Sequence, residues 1–157
     1  MIAILDVDPQ GADALALLHE ASLDARALYP ELFGDAKPAA RNEPLQPRAV
    51  YVIAYEGQQA LACGALRAFD DSTAELRRIY VRRDHRRRGL ARALLLHLFG
   101  EARRLGYARL VLETGYKQEA AMRLYEASGF ERISPFGDYV NDPTSVCYGR
   151  DAGLGRQ

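Results

Sequence analysis

Residues 81–95 read VRRDHRRRGLARALL, and they decide how the rest of the chain is interpreted. A β-type run ends at Val81, a basic loop follows, and a helix with apolar residues at helical spacing begins around Gly89. A helix N-terminus presents unpaired backbone N–H groups and the positive end of the helix dipole. Gly89 has no side chain, so a ligand can approach the backbone closely there. The segment therefore predicts a binding site for a pyrophosphate.

Two familiar phosphate-binding motifs do not match this segment. No Gly-Lys-Ser/Thr follows the loop, which excludes a P-loop. The glycines of a dinucleotide-binding fingerprint are also missing, and the strands predicted before the loop form a meander rather than a β-α-β unit. The simpler alternative is a solvated basic loop that caps a surface helix.

Composition and charge narrow the classes of function. The chain has 157 residues, of which 48% are apolar and 27% are charged, as in an ordinary folded domain. Its 21 basic and 21 acidic side chains cancel, whereas proteins that bind nucleic acid through bulk charge are more basic. No apolar stretch is long enough to span a membrane and no signal-peptide pattern is visible, so we expect a cytoplasmic protein. Cys63 and Cys147 each lie inside an apolar run, so we expect both to be buried free thiols. The three histidines are widely spaced, so we expect no metal site.

Periodicity and turn residues predict the order β-α-loop-β-β-β-α-β-α-β-β. The predicted strands are Ile2–Val7, Val50–Glu56, Ala60–Phe69, Thr73–Val81, Arg109–Thr114, Phe130–Ser134 and Ser145–Arg150. The predicted helices are Ala12–Tyr29, Arg88–Leu105 and Gln118–Ser128. We expect an irregular loop over Pro30–Pro47 with a short helical turn at Glu31–Phe33, and a frayed tail over 152–157. This order predicts an α+β fold with a mostly antiparallel sheet and a parallel pair where the second helix links two strands.

The basic segment resembles the signature of the GNAT superfamily of acyl-CoA-dependent N-acetyltransferases. That signature is Gln/Arg-x-x-Gly-x-Gly/Ala at the start of the central helix, and here residues 86–91 read RRRGLA. A second family feature is a helix that contains a tyrosine and ends in Gly-Phe, and here residues 121–130 read AMRLYEASGF. The resemblance runs from about Val50 to Arg150 and implies a GNAT-type twisted sheet flanked by helices, in a single domain over 1–157.

The resemblance implies a site for acetyl-CoA as co-substrate. In the family, the backbone at the position of Val81 pairs with the pantetheine arm, and the amides that follow hold the pyrophosphate. The residues implied to contact the cofactor are Val81, Arg86, Arg87, Arg88, Gly89, Leu90, Ala91, Arg92 and Gln118. Gln118 stands where the family often has an asparagine. Tyr125 matches the tyrosine that donates a proton to the leaving thiolate, although it could also be a core aromatic residue.

The acceptor side rests on charged residues of two strands. Glu75 lies at a spacing from Val81 where some family members have a glutamate that acts as a general base, and its alternative is an ion pair at the sheet surface. In an extended strand Glu75, Arg77, Ile79 and Val81 share one face, which would place Glu75 and Arg77 together in the acceptor pocket. Arg77, assisted by Arg67, predicts an acceptor with both an amine and a carboxylate, because guanidinium binds carboxylates bidentately.

Together these expectations describe an enzyme that moves an acetyl group from acetyl-CoA to a primary amine of a small, amino-acid-like acceptor. Attack would be direct, in a ternary complex, with no metal, no nucleic acid and no membrane involved. One alternative is a non-catalytic acyl-CoA-binding regulatory module. A weaker one is a nucleic-acid-binding protein that uses the eight arginines between Arg77 and Arg92. The resemblance also allows a homodimer. It makes Tyr139 and Asp142 further candidates near the acceptor, although turn structure alone explains the residues of that segment and is the favoured interpretation.

Overall fold

A computed structural model describes residues 1–30 and 40–153, which form three α-helices and one seven-stranded sheet. The strands are β1 (Ile2–Asp6), β2 (Val50–Glu56), β3 (Gln59–Ala68), β4 (Thr73–Val81), β5 (Arg109–Gly115), β6 (Glu131–Ile133) and β7 (Ser145–Asp151). The helices are α1 (Ala12–Leu28), α2 (Leu90–Arg104) and α3 (Glu119–Ala127). The strand order is β1-β2-β3-β4-β5-β7-β6, and β4–β5 is the parallel pair among the described strands. The predicted α+β fold is therefore confirmed.

The helices cover both faces of the sheet because alternate residues of each strand point to opposite faces. Val52 and Ala54 of β2 belong to the larger apolar core, which contains the buried face of α2. Tyr51 and Ile53 belong to a smaller core, which contains Ala14 and Leu17 of α1. Tyr125 of α3 lies in the larger core, so α3 shares the α2 face. Of the described helices, α1 therefore packs by itself on the opposite face of the sheet.

Strand β4 carries a bulge that reverses its side-chain alternation. Arg77 pairs with Ala65 and Tyr80 pairs with Cys63, so two residues of β4 face one residue of β3. Arg78 has a left-handed φ of 62° and is the extra residue. Ile79 and Val81 consequently pack with the α2-side core. The expectation that they share a face with Glu75 and Arg77 is wrong, because a bulge moves every later side chain to the other face.

Strands β4 and β5 separate part-way along their length. Their parallel ladder joins Thr73–Leu76 to Arg109–Leu112 and stops there. β4 continues to Val81 and β5 continues to Gly115, each without the other as partner. Arg77 and Glu113 are the first residues beyond the ladder, so both stand at the mouth of the gap.

The segments outside the sheet bear on two expectations, the frayed tail and the helical turn before residue 34. Ala152 is buried and its N–H donates to the carbonyl of Ala108 at 2.8 Å, so the expected frayed tail does not begin there. The helical turn expected at Glu31–Phe33 and the last residues of the tail lie outside the described residues. Within the described ranges, none of the helices is long and apolar enough to cross a membrane.

Candidate functional site

An open cleft of about 810 Å³ lies between α1, the loop after β4 and the first turns of α2 and α3. Eight of the nine residues predicted to contact the cofactor line it: Val81, Arg86, Arg87, Gly89, Leu90, Ala91, Arg92 and Gln118. Arg88 does not line the cleft. The cleft also reaches Ile79 and Tyr125, so it connects the basic loop with the end of β4 and with α3.

The start of α2 presents a run of free backbone donors. None of the N–H groups from Arg87 to Arg92 donates a hydrogen bond to another residue of the described chain. Arg87 and Gly89 both have left-handed backbone angles, with φ of 66° and 75°, and such turns form concave nests of N–H groups. An added Cβ at Gly89 would meet open space, so the glycine is needed for its backbone angle and for ligand approach. This geometry suits an anion with several oxygens, such as a pyrophosphate.

The arginine side chains of this loop are less available than the sequence suggested. Asp24 of α1 accepts hydrogen bonds from Tyr80, Arg83 and Arg86 at 3.0–3.2 Å. Burial alone would raise the pKa of Asp24, but the hydrogen bonds from Arg86 and Tyr80 hold it below its ordinary value. The loop is therefore tied to α1 by an ionised carboxylate.

Arg88 pairs with Glu56 at 3.0 Å, on the side of the loop away from the cleft. Arg87 and Arg92 have no acidic partner within the described part of the chain. Among the arginines of the loop after β4, Arg87 and Arg92 therefore supply the mobile positive charge that the sequence predicted.

The other predicted cofactor contacts lie at the two ends of the cleft. The carbonyl of Val81 accepts a hydrogen bond from Nε of Arg86 at 2.9 Å, which occupies part of the strand end expected to pair with pantetheine. Gln118 is exposed immediately before α3, and its carbonyl accepts from Met122 N–H at 3.0 Å. Its side-chain amide is free to face the cleft.

Tyr125 is almost fully buried on α3, and its ring packs against Phe130 and Tyr148. Tyr125 also lines the cleft, so it is both a core aromatic residue and a residue of the cleft, although the sequence presented these as alternatives. Burial, together with the negative charge of Glu113, raises the pKa of Tyr125 to about 12. The hydroxyl is consequently protonated at neutral pH and can act as an acid.

Glu113 is a candidate that the sequence reasoning missed. It stands at the mouth of the β4–β5 gap, and its carboxylate accepts a hydrogen bond from Ser145 Oγ at 2.6 Å. Burial raises the pKa of Glu113 above its ordinary value of 4.5, the Ser145 hydrogen bond opposes that shift, and the charges of Asp142 and Glu75 add to it. The available signal was a lone carboxylate inside the apolar run Leu110–Thr114, which is unusual in a buried strand.

Glu75 is buried and fully engaged by its neighbours. Arg67 approaches one carboxylate oxygen at 3.0 Å, and the hydroxyl of Tyr139 donates to the other at 2.8 Å. Arg77 Nε lies 4.0 Å from the same carboxylate. These contacts correspond to the ion-pair alternative for Glu75. Its role as a base stays a prediction, and Tyr139 contacts it through the hydrogen bond described above.

The two arginines predicted to bind the acceptor have different surroundings. Arg67 is occupied, because it bridges Glu75 and Glu43 at 3.0 and 2.9 Å. Arg77 has Glu75 at the limit of an ion pair and is partly exposed at the gap. Arg77 is therefore the less occupied of the two cations.

Two further kinds of chemistry are not supported by the described residues. They contain no group of three or more His, Cys, Asp or Glu side chains that could hold a metal ion. Cys63 and Cys147 are both buried, as predicted, and burial raises the pKa of each thiol. A buried thiol of raised pKa is a poor nucleophile.

The profile of the Acetyltransferase (GNAT) family matches residues 14–130, which is most of the chain. The protein belongs to the GNAT acetyltransferase family. This assignment confirms the resemblance drawn from residues 86–91 and makes the protein an N-acetyltransferase that uses an acyl-CoA donor.

Individual relatives agree with the family assignment. The chain is 40% identical over 102 residues to an uncharacterized N-acetyltransferase of Bacillus subtilis, covering 64% of this chain and 68% of that protein. It is 34% identical over 121 residues to the IAA acetyltransferase of Azospirillum brasilense, covering 72% and 78%.

Among solved structures, one assigned as an acyl-CoA N-acyltransferase of Klebsiella pneumoniae superposes with a TM-score of 0.79 at 30% identity, covering 98% and 99% of the chains. A GNAT acetyltransferase of Elizabethkingia anophelis, solved with acetyl-CoA bound, shares the fold at 18% identity and a TM-score of 0.69, covering 96% and 97%.

Proposed function

We propose that this acetyltransferase transfers the acetyl group of acetyl-CoA to the primary amine of a small acceptor that carries a carboxylate. One observation carries the proposal: a single cleft connects the free amides at the start of α2 with the end of β4 and with Tyr125. Acetyl-CoA has its pyrophosphate at one end and its thioester at the other. The amides that would hold the pyrophosphate and the residues that would act on the thioester must therefore lie in one continuous cleft. The acceptor then approaches from the α1 face of the sheet, where Glu75, Arg77 and Glu113 gather.

The cofactor side would use backbone amides more than arginine side chains. The N–H groups of residues 87–92 would hold the pyrophosphate, assisted by Arg87 and Arg92, whose charges have no acidic partner among the described residues. Gln118 would contact the donor from the start of α3. The end of β4 pairs with β3 but has no partner on its β5 side, and this open edge would lie along the pantetheine arm, with Val81 as the predicted contact.

Glu113 is better suited than Glu75 to remove the proton from the attacking amine. A general base works best when its pKa is near the working pH, and burial raises the pKa of Glu113 toward that range. Glu75 already accepts from Arg67 and Tyr139, so taking up a proton would cost it those contacts. We therefore assign Glu113 as the base and Glu75 as the residue that positions Arg77 and Tyr139.

Tyr125 would complete the transfer as the acid. The amine nitrogen forms a bond to the thioester carbonyl carbon, the carbon–sulfur bond breaks, and the amine loses a proton to Glu113. The departing thiolate takes a proton from the Tyr125 hydroxyl, which burial keeps protonated. Attack is direct, because both cysteines are buried thiols of raised pKa and neither lines the cleft.

The acceptor assignment rests on Arg77 at the mouth of the gap. A partly exposed guanidinium repels a polyamine and attracts a carboxylate. The test compares the acetylation of amines of equal size with and without a carboxylate. The reaction is monitored by the release of the CoA thiol. We expect carboxylate-bearing amines to react with a kcat/KM at least tenfold higher. Equal rates for cationic polyamines would refute the acceptor assignment while leaving the enzyme assignment intact.

The cofactor assignment has its own test in two neighbouring arginines. Arg87→Gln removes an unpaired charge that lines the cleft, whereas Arg88→Gln removes a charge paired with Glu56 outside it. We expect the thermal stabilisation by acetyl-CoA to weaken in Arg87→Gln and to stay unchanged in Arg88→Gln. The opposite order would mean that the phosphates bind elsewhere.

A further inference from the structure

A second, smaller cavity adjoins Arg77 on the side away from Glu113. Its volume is about 70 Å³, enough for several water-sized groups. It is lined by Tyr51 of β2, Ala65, Leu66 and Arg67 of β3, Arg77 and Arg78 of β4, and residues 42–46. We call it the arginine cavity. Most of its other walls are apolar, so it suits a short carbon chain that ends in a charged group.

The arginine cavity has more positive than negative charge. Its lining contains Arg67, Arg77 and Arg78 but only Glu43 as an acid, with Glu75 directly behind Arg67. Both carboxylates are used by Arg67. Arg77 also lies 4.0 Å from Glu75, so Arg78 is the cation of this lining that has no carboxylate contact among the described residues.

Arg78 carries most of this imbalance. Its guanidinium donates to neutral groups, the side-chain carbonyl of Asn42 at 3.0 Å and the backbone carbonyl of Arg41 at 2.8 Å. Among the described residues it has no carboxylate partner. Burial, reinforced by the adjacent charge of Arg77, lowers the pKa of Arg78. Arg78 is half-buried, and a guanidinium taken out of water is normally paired with an anion, so this one is available for an external anion.

Tyr51 supplies an independent sign of a missing ligand. Its side chain is 3% exposed and lines the arginine cavity. Its hydroxyl is buried and makes no hydrogen bond of ordinary length within the described chain, although the polar groups of Cys63 and Asn42 lie near it. A buried hydroxyl without a partner costs free energy, and a carboxylate oxygen in the cavity would accept its hydrogen bond.

We infer that the arginine cavity binds the carboxylate of the acceptor and that this carboxylate lies several bonds from the reacting amine. The inference rests on the proposed function, because it takes the amine to react at the β4–β5 gap beside Glu113. The two positions are separated by strand β4: the cavity lies over β2, β3 and β4, and the gap lies beyond β4.

Strand spacing sets the separation that the acceptor must bridge. Neighbouring strands lie about 4.8 Å apart, so the cavity and the gap are roughly 5–10 Å apart. In an α-amino acid the nitrogen and the carboxyl carbon are only about 2.5 Å apart. An extended chain gains about 1.2 Å per bond, so four to six bonds give about 5–7.5 Å. The acceptor class is therefore an amino acid with a terminal amine, or a short peptide with a free N-terminus.

The test uses the wild-type enzyme and compares three six-carbon amines as acceptors. 6-Aminohexanoate has the inferred spacing, its isomer 2-aminohexanoate has the same charge but adjacent groups, and 1-aminohexane lacks the carboxylate. We expect a kcat/KM for 6-aminohexanoate about tenfold above both others. Hexanoate should compete with the amine acceptor, and hexanamide should not.

Tyr51→Phe then tests the cavity itself. It removes a hydroxyl that makes no hydrogen bond of ordinary length in the described chain, so the melting temperature should change little. We expect the KM for 6-aminohexanoate to rise about tenfold, with kcat and the rate for 1-aminohexane unchanged. Arg78→Gln should raise the same KM further. Tyr55→Phe and Arg104→Gln, which alter residues outside both cavities, are the matched controls.

The outcomes separate the inference from the function on which it rests. If carboxylate-bearing amines are preferred but 2-aminohexanoate is the better isomer, or if Tyr51→Phe leaves the KM unchanged, the arginine cavity is not the subsite. Failure of hexanoate to compete would overturn the inference with no variant needed. If none of the amines is acetylated in preference to 1-aminohexane, the acceptor assignment itself fails.

Discussion

The substitution Glu113→Gln separates the chemical role of this residue from its structural one. Glutamine has nearly the same size, and its carbonyl oxygen can still accept the hydrogen bond from Ser145. Only the ability to take a proton is lost. A positioned general base contributes about 10²- to 10⁴-fold to a rate, so kcat should fall by that factor while the KM for acetyl-CoA stays unchanged.

The pH dependence gives a second readout of the same role. A base must be deprotonated to act, so the wild-type rate should rise with pH through the pKa of Glu113. Burial raises that pKa above 4.5, which places the acid limb of the profile above the range of an exposed glutamate. The limb should disappear in Glu113→Gln, because glutamine does not titrate.

The stability of the variant follows from linkage, with the sign opposite to that of the rate. Because burial raises the pKa of Glu113, the folded chain binds this proton more tightly than the unfolded chain does. Glu113 therefore destabilises the fold progressively as pH rises from the unfolded pKa through the folded one. Glutamine removes this cost, so Glu113→Gln should melt no lower than wild type at pH 8.

The assay is thiol release with saturating acetyl-CoA from pH 5 to 9, together with thermal melting at pH 5 and 8. Glu126→Gln is the matched control, because Glu126 is exposed on α3 and its carboxylate accepts a hydrogen bond from Tyr148 at 2.7 Å. A kcat within threefold of wild type, with the acid limb unchanged, would refute the assignment of Glu113 as the base. A large loss of melting temperature at pH 8 would refute the linkage argument.

Three other predictions address the acid, the helix start and the buried ion pair. Tyr125→Phe should lower kcat about 10²- to 10⁴-fold and leave the melting temperature unchanged, because the ring contacts remain; normal turnover would exclude Tyr125 as the acid. Gly89→Ala should cost about 1–2 kcal/mol for its left-handed angle, or about 2–8 °C of melting temperature, and should weaken acetyl-CoA binding in calorimetry. Glu75→Gln should cost about 1–3 kcal/mol in chemical denaturation but lower kcat far less than Glu113→Gln; an equal loss would restore Glu75 as the base.

The order and bounds of the elements could be predicted because their signals are local. Strand β2 and strand β4 have the predicted bounds, and α2 begins two residues later and ends one residue earlier than expected. Apolar periodicity, glycine and turn residues act within a few positions of the chain. The same holds for the run of free amides after Arg86, since a strand, a short loop and a helix start suffice to create it.

The partners of charged side chains could not be predicted, because they come from distant parts of the chain. Asp24 binds Arg86 across 62 positions, and Ser145 binds Glu113 across 32. No periodic pattern encodes such a contact. The sequence therefore showed where positive charge is concentrated but not which arginines would already be neutralised, and it gave no measure of the burial that makes Glu113 a plausible base.

The bulge at Arg78 explains why the strand face was the least predictable part of the site. Regular alternation would place Glu75, Arg77, Ile79 and Val81 on one face, but one extra residue sends the last two to the α2 side. A left-handed angle at a non-glycine residue costs about 1–2 kcal/mol, and here the hydrogen bonds of Arg78 to residues 41 and 42 offset it. The distortion lets one strand line the cleft with its end while its first half presents Arg77 at the β4–β5 gap. A regular strand would have directed both halves into the same space.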